Sequence, residues 1–248
     1  MKVLDHGYVT LVESWGNDER IIEAARMSTD KGFLGWGPNV CKHCKMRPDD
    51  FRAKDSCYNG PHEFTPGDEK LLAYLYRHKH MTPFEMAGMI IEVQAPIFVF
   101  REWHRHRTQS YNEMSARYIP LPDVNYMPTT ERLMLNAGER NRQASSHQGM
   151  MCEANADVFQ KQLDQAYYQA QSVYSAALSN GVPKELARLI LPVGRYSRMR
   201  ASANLRNWLQ FLTLRMDVAA QWEIQQYANA VAELISNKFP RTYELFKS

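Results

Sequence analysis

The sequence predicts an α+β fold in which long helices pack on a modest, mainly antiparallel sheet. Three observations predict it. Residues 156–179, 205–215 and 217–237 repeat apolar side chains at helical spacing, as a helix burying one face does. Residues 3–11, 88–94 and 196–203 alternate in the manner of half-buried strands. The bulk also fits: 248 residues, 44% apolar and 23% charged, supply core for one large domain spanning 1–248.

In chain order, Tyr8-Val9-Thr10-Leu11-Val12 follows a turn at His6-Gly7 and forms the first strand. Asn17-Asp18 caps a helix through Ala25, with Ile21, Ile22 and Ala25 on one face. Residues 32–67 are rich in Gly, Pro and Lys without periodicity and read as a loop insert. Inside it lie Cys41-Lys42-His43-Cys44, then Cys57 and His62. Two thiolates on one tight turn span an edge of a Zn²⁺ tetrahedron, and Cys57 and His62 complete four ligands, with His43 as the alternative fourth. The opposing reading is a set of reduced, non-liganding cysteines. A zinc ion here would be structural, stapling a loop that has little apolar content.

Asp68 to His80 reads as a helix with Leu71, Leu72, Leu75 and Tyr76 as its buried stripe, opened by Gly67-Asp68. Gly88 to Gln94 is a strand with Met89, Ile91 and Val93 on one face, Ile90 and Glu92 on the other. Pro96 suits a first helical position, so Ile97 to His106 is expected to be a short helix carrying Arg101 and Arg105 one turn apart. Thr108 to Ser115 then breaks out as an irregular loop. Residues 127–155 are polar and uneven, a second insert. A helix over 156–179 carries Phe159, Leu163, Ala166, Tyr167 and Val173 in register. Asn180-Gly181-Val182-Pro183 ends it and launches 184–191, which Pro192 stops. Tyr196 to Ala203 is a strand with Arg198 and Arg200 on one side. Asn204 caps the helix 205–215, and 217–237 is another long amphipathic helix with Trp222, Ile224, Tyr227, Val231 and Leu234.

The net charge of +3 is mild, so the basic character is local. The N-terminus lacks the apolar core of a signal peptide, and no run of about 18 apolar residues occurs. Four cysteines, three of them close together, suit a reducing compartment. The expectation is a cytoplasmic protein with no membrane partner.

The chemistry concentrates in residues 101–118, Arg101-Glu102-Trp103-His104-Arg105-His106-Arg107 running on to Ser115-Ala116-Arg117-Tyr118. Four guanidinium groups this dense repel one another unless an anion neutralises them, and arginine's planar fork matches phosphate oxygens two at a time. The alternative is a solvated basic face or local ion pairs. The apolar run Ala95-Pro96-Ile97-Phe98-Val99-Phe100 feeds directly into the charges, so the core holds them. The His78/His80 and His104/His106 pairs raise a catalytic metal. No compact carboxylate set accompanies them and the arginines repel a divalent cation, which argues against it. No cysteine has a partnered base, and Cys152 lies in a polar segment, so no thiolate nucleophile is expected.

Arg105-His106-Arg107, seven residues, then Ser115 resembles the signature of the flavin-dependent thymidylate synthases, the ThyX family. His80-Met81-Thr82-Pro83-Phe84-Glu85, Ser110-Tyr111-Asn112-Glu113 and Ser115-Ala116-Arg117-Tyr118 extend the resemblance, which covers most of the chain apart from the two inserts. It implies the family's α+β fold and this reaction: NADPH reduces FAD, and the reduced flavin relays a one-carbon unit from methylenetetrahydrofolate to carbon 5 of dUMP and supplies the hydride, giving dTMP. The difficult carbon chemistry rests with the flavin, in agreement with the missing nucleophile. By positional match, Arg215 lies against the pyrimidine and favours its ionised form. Without the match, Arg215 reads as a helix-end arginine pairing with Asp217 or Glu223. The match makes Ser115, Arg117 and Arg188 ligands of dUMP, with Arg105 and Glu102 nearby. Ser115 and Arg117 take the monophosphate, each charge-assisted bond contributing about 1.5–3 kcal/mol. Thr82, Arg105, His106, Arg107, Glu113, Asn204, Arg206 and Gln210 match flavin contacts, and His80 is assigned to the exposed flavin face. Three positions depart from the family: Glu102 where glutamine is common, Gln210 where asparagine is common, and Ala219 where some members carry histidine. They bear on ligand affinity. The family's homotetramers, with sites drawing on more than one subunit, imply the same assembly here.

Two rival readings remain. Arginines interleaved with Trp103, Tyr111 and Tyr118 also suit a nucleic-acid surface, which predicts affinity falling steeply with salt and no chromophore. A flavin oxidoreductase without methyl transfer is the nearer rival. The expected partners are small molecules and not nucleic acid.

Overall fold

The computed structural model describes residues 1–37, 40–44, 46, 57, 60–65, 67–135 and 151–248. The part of the second insert at 136–150 lies outside them, as does much of the first. Strands β1 (Lys2–Val3), β2 (Gly7–Trp15), β3 (Gly88–Pro96), β4 (Ser110–Glu113) and β5 (Tyr196–Asn204) form one sheet in the order β1-β2-β3-β5-β4. The β1/β2 and β4/β5 pairs are antiparallel. The α+β expectation holds, and no helix among the described residues is long and apolar enough to cross a membrane.

The chain divides into two compact units. The first comprises Met1–Val12, Ile90–Ala203 and Gln210–Val231, the second Glu13–Met89, Asn204–Leu209 and Ala232–Ser248.

In the first unit the alternation of β3 is realised: Ile91, Val93 and Ala95 are fully buried, while Glu92 and Gln94 are half-exposed. On β5, Met199 and Ala201 point inward and Arg198 and Arg200 outward. The turn into β2 is at residues 4–6, one step earlier than expected, with Leu4 left-handed at φ 56°. Gly7 opens β2 because a Cβ there would stand 2.0 Å from the Tyr227 hydroxyl and 2.6 Å from the Val3 carbonyl oxygen.

Several expectations need correction. Helix α3 (Ile97–Trp103) stops at Trp103, so Arg105 lies beyond it and does not share a helical face with Arg101; Pro96 is its N-cap, not its first residue. The chain after α3 turns on itself, His106 N donating to Trp103 O at 3.0 Å and Gln109 N to His106 O at 3.1 Å, and the Tyr111 hydroxyl shares its proton between the same two oxygens, at 3.1 and 2.8 Å. Residues 110–113, expected to be irregular, form β4, because their backbone groups pair with Met199–Ser202 of β5. Helix α4 (Thr130–Met134) lies inside the second insert, capped by Thr129. Helix α5 (Glu153–Ser179) has the expected place but a different face. Ala156 and Tyr174 are buried in it, whereas Phe159 and Val173 are 39% and 49% exposed. The stretch 184–191 is a short helix α6 (Lys184–Ala187) followed by a 3-10 turn at Arg188–Ile190. Helix α7 (Leu205–Arg215) is as expected, and the Asn204 side chain accepts from the Asn207 N–H at its start. Helix α8 (Trp222–Lys238) begins five residues later than expected, after a turn at 217–220.

The second unit is organised by two buried carboxylates. Asp18 opens α1 (Asp18–Arg26), behind its Asn17 cap, and also accepts from Thr242 Oγ1 (2.6 Å), Thr242 N (3.2 Å) and Arg241 N (2.9 Å). Those last two amides are orphan donors of α9 (Pro240–Lys247), a helix the sequence analysis did not anticipate. Asp68 opens α2 (Asp68–Arg77), pairs with Arg26 and accepts from Leu34 N at 2.7 Å.

Candidate functional site

Three side-chain groups carry the chemistry in the first unit. The first is a cleft of about 580 Å³, the size of a small-molecule site, between α3, the end of β4 and the 188–193 turn. Arg101, His104, Glu113, Ser115, Arg188 and Ser197 supply its polar lining; Ile97, Phe100, Leu121 and Leu191 are among its apolar walls. Arg101 and Arg188 are exposed, and neither has a carboxylate partner among the described residues. Arg188 makes one bond of its own, from Nε to the Glu185 carbonyl at 3.3 Å. Ser197 is 1% exposed, and its hydroxyl has no partner among the described residues. A buried, unpaired hydroxyl in a cleft wall costs free energy unless a ligand or water completes it.

The second group is a clamp on Arg215 at the end of α7. Its Nε donates to His106 Nε2 at 2.9 Å, Nη1 to Glu102 Oε2 at 3.0 Å and Nη2 to the Glu102 carbonyl at 2.9 Å. The expected alternative partners were Asp217 or Glu223. Instead Glu223 is held by Arg132 and Tyr126, and Arg215 reaches back to residues 102–106. Its side chain is 15% exposed, Glu102's 41%. Burial, and then the Arg215 charge, hold His106 down to about 4, so its ring is neutral at pH 7 and accepts at Nε2. The ring also packs edge-on against Phe211, and Trp103 stacks on Phe211 at 4.6 Å between centroids. The Trp103 indole donates to Gln109 Oε1, which ties the turn after α3 to its helix.

The third group is the basic surface beside them. Arg105 and Arg107 are exposed and without a carboxylate partner among the described residues. Arg117, expected beside Ser115 on a phosphate, points elsewhere: its Nε lies 3.6 Å from Glu185, and it is absent from the cleft wall. Ser115 Oγ accepts from the Arg117 amide at 3.3 Å, so the two meet through the backbone. Gln210 is exposed on α7.

In the second unit, Thr82 is exposed at the start of a 3-10 turn, Thr82–Met86, whose N-cap is Met81. His80 is exposed beside Tyr74 and His78. Asn204 serves as a helix cap, and Arg206 is paired with Glu85. Cys41, Cys44, Cys57 and His62 converge, with ligand atoms all within 4.8 Å of one another. Burial raises the Cys41 thiol, but hydrogen bonds from the Cys44 amide, His62 and the His43 amide outweigh it and bring the thiol to about 5. Cys152 is exposed.

The structure thus brings Ser115, Arg188 and Glu113 together and joins Arg215 to His106 and Glu102. Sequence reasoning did not assign Arg101, His104 or Ser197 to a ligand. Arg101 and His104 carried a signal, lying inside the basic motif. Ser197 carried none, since a lone serine in a strand has no pattern.

The model of the family described as thymidylate synthase complementing protein matches residues 10–241. A flavin-dependent thymidylate synthase of Thermus thermophilus is 36% identical over 245 residues, covering 99% of this chain and 77% of that protein. One from Thermosipho africanus is 35% identical over 247 residues, covering 99% and 92%. The structure is similar to that of a UMP/dUMP methylase, PolB from Streptomyces cacaoi, bound with 5-Br UMP. The TM-score is 0.77 at 28% identity, over 100% of this chain and 96% of that one.

Proposed function

The chain belongs to the thymidylate synthase complementing protein family, the flavin-dependent thymidylate synthases, and on that premise we propose that it methylates dUMP to dTMP. FAD is the redox cofactor, methylenetetrahydrofolate the carbon donor and NADPH the reductant. The observation that carries the reading is the cleft, where Arg101, Arg188 and the Ser115 hydroxyl line a ligand-sized space and neither guanidinium pairs with Glu113 or with any other carboxylate among the described residues.

Arg188 and Ser115 bind the dUMP phosphate by charge-assisted bonds, joined by Arg101 and by the unpartnered Ser197 hydroxyl. Arg117 joins them by turning from Glu185, an exposed pair that costs little to break. Carbon 5 of the uracil becomes nucleophilic as negative charge develops on the ring carbonyl. Arg215, with its side chain 15% exposed and held by three hydrogen bonds, is the group to stabilise that charge. Its Nη1 must first leave Glu102, while neutral His106 keeps the Nε edge in place. The residues fit a flavin on one observation: Arg105 and Arg107 present positive charge that no carboxylate among the described residues pairs, suited to a pyrophosphate. When bound, the reduced flavin supplies the electrons that the methylation consumes. Glu113, His106 and Gln210, with Thr82, His80, Asn204 and Arg206, are assigned to the cofactor by family membership. Arg206 must release Glu85 to serve a phosphate. We assign 1–248 to a single synthase domain acting as a cytoplasmic homotetramer. Exposed apolar side chains on α5 (Val158, Phe159, Tyr168, Val173) and at Leu186 and Leu189 are the candidate subunit contacts.

Arg215→Ala tests the reading. dTMP formation should be lost, with NADPH-driven flavin reduction intact. Unaffected dTMP formation would refute the role of Arg215, and a colourless protein that binds nucleic acid in a salt-dependent manner would refute the enzyme.

A further inference from the structure

We propose that Cys41, Cys44, Cys57 and His62 bind one Zn²⁺ as a closed structural site, independently of the flavin chemistry. Their ligand atoms all lie within 4.8 Å of one another. Tetrahedral zinc, with Zn–S near 2.3 Å and Zn–N near 2.05 Å, sets thiolate pairs about 3.8 Å apart and a thiolate–imidazole pair about 3.6 Å apart. Cys44 Sγ and His62 Nδ1 stand at 3.5 Å. That distance selects Nδ1 as the ligating nitrogen.

The backbone around the ligands is built for metal. The Cys41–Cys44 turn directs the His43 and Cys44 amides toward the Cys41 sulfur, and Cys41 N donates to Met46 O at 2.7 Å. Gly60 N donates to Cys57 O at 2.9 Å, with Gly60 at φ 110°. Cys41 bridges Phe64, Lys42 N donates to Glu63 O at 2.9 Å, and Thr65 N donates to Val40 O at 3.0 Å. His62 stacks on Phe64 at 5.5 Å. Cys41 and Cys57 are buried and none of the cysteines is in a disulfide. Converging thiols, two of them buried, in a segment of little apolar content gain little from packing, so the metal supplies the missing free energy of folding.

Three sulfurs and one nitrogen form a soft donor set that selects zinc over magnesium or calcium. All four positions are protein ligands, so no site remains for water or substrate and the ion is not catalytic. His43, between the two cysteines, is not a ligand. The stapled segment leads into α2, where Glu69 accepts from Gly37 N at 2.7 Å and Arg241 lies over the Trp36 ring at 4.3 Å. Zinc thereby holds the approach to α2.

The test is metal analysis of the 248-residue chain purified without added chelator. It should give about one zinc per chain. Cobalt exchanged into the site should show the intense visible bands of a tetrahedral thiolate complex. His43→Ala should keep the metal and Cys44→Ser should lose it. Should Cys44→Ser not fold, a thiol-reactive mercurial titrated into the wild-type chain should release zinc stoichiometrically, read by a chromogenic chelator. Hydrogen exchange should then show loss of protection at the Cys41, Lys42 and Thr65 amides while Met114 and Tyr196 keep theirs. Protein free of zinc after refolding with zinc chloride, iron in its place, or zinc retained by Cys44→Ser would overturn the proposal.

Discussion

Glu102→Gln removes one negative charge from the clamp on Arg215 and leaves its shape. Arg215 makes three hydrogen bonds there, and only the one from Nη1 to Glu102 Oε2, at 3.0 Å, loses an ionised acceptor; those to His106 and the Glu102 carbonyl persist. The bond stays assisted by the guanidinium charge, so what the substitution removes is the Coulomb attraction of the ion pair, about 1 kcal/mol. The Glu102 side chain is 41% exposed, so solvent screening brings the difference to about 0.5–1 kcal/mol. If dUMP must take Arg215 away from Glu102, the free protein loses that much competition and dUMP binds about two- to fivefold more tightly. Calorimetric titration of dUMP into both proteins at one salt concentration measures it. Unchanged affinity would show that Arg215 never leaves Glu102. Weaker binding would show that the carboxylate itself accepts from the substrate, as from a ribose hydroxyl.

Two further perturbations test the framework. His106 is held at about 4, by burial first and by Arg215 second, against an ordinary value of about 6.5. As pH falls the unfolded chain takes up this proton first. The contribution to stability is therefore complete above pH 6.5 and is lost between 6.5 and 4, reaching about 3 kcal/mol; an NMR titration placing the ring near 6.5 would contradict it. Asp18→Ala should destabilise the protein by about 3 kcal/mol, because it leaves the Arg241 and Thr242 amides and the Thr242 hydroxyl without an acceptor. Urea denaturation reads the change, and a loss below about 1 kcal/mol would mean that water replaces Asp18 at α9.

Local features were legible and distant ones were not. The Asn17 and Asn204 caps were readable because a cap bonds within three residues of itself. The alternation of β3 was readable because burial on one face leaves a period of two. The strand β4 was missed: a polar four-residue segment has no such period, and it exists because β5 pairs with it. The clustered arginines of the basic motif read as an anion site, and Arg117 and Arg188, read as companions in it, take different surroundings.

By itself the sequence determined the α+β class, the spacing of the basic motif, the family resemblance and the CxxC with its later Cys and His. These depend on residue type and short-range order along the chain. Only the tertiary structure decided that Arg215 answers to Glu102, 113 positions away, rather than to Asp217 or Glu223, and that Asp18 caps a helix 224 positions on. It also chose His62 over His43 beside the cysteines. Each of those choices is a competition among chemically equivalent partners. Such a competition is settled by which backbone segments the fold brings within hydrogen-bonding distance, and local sequence does not record that.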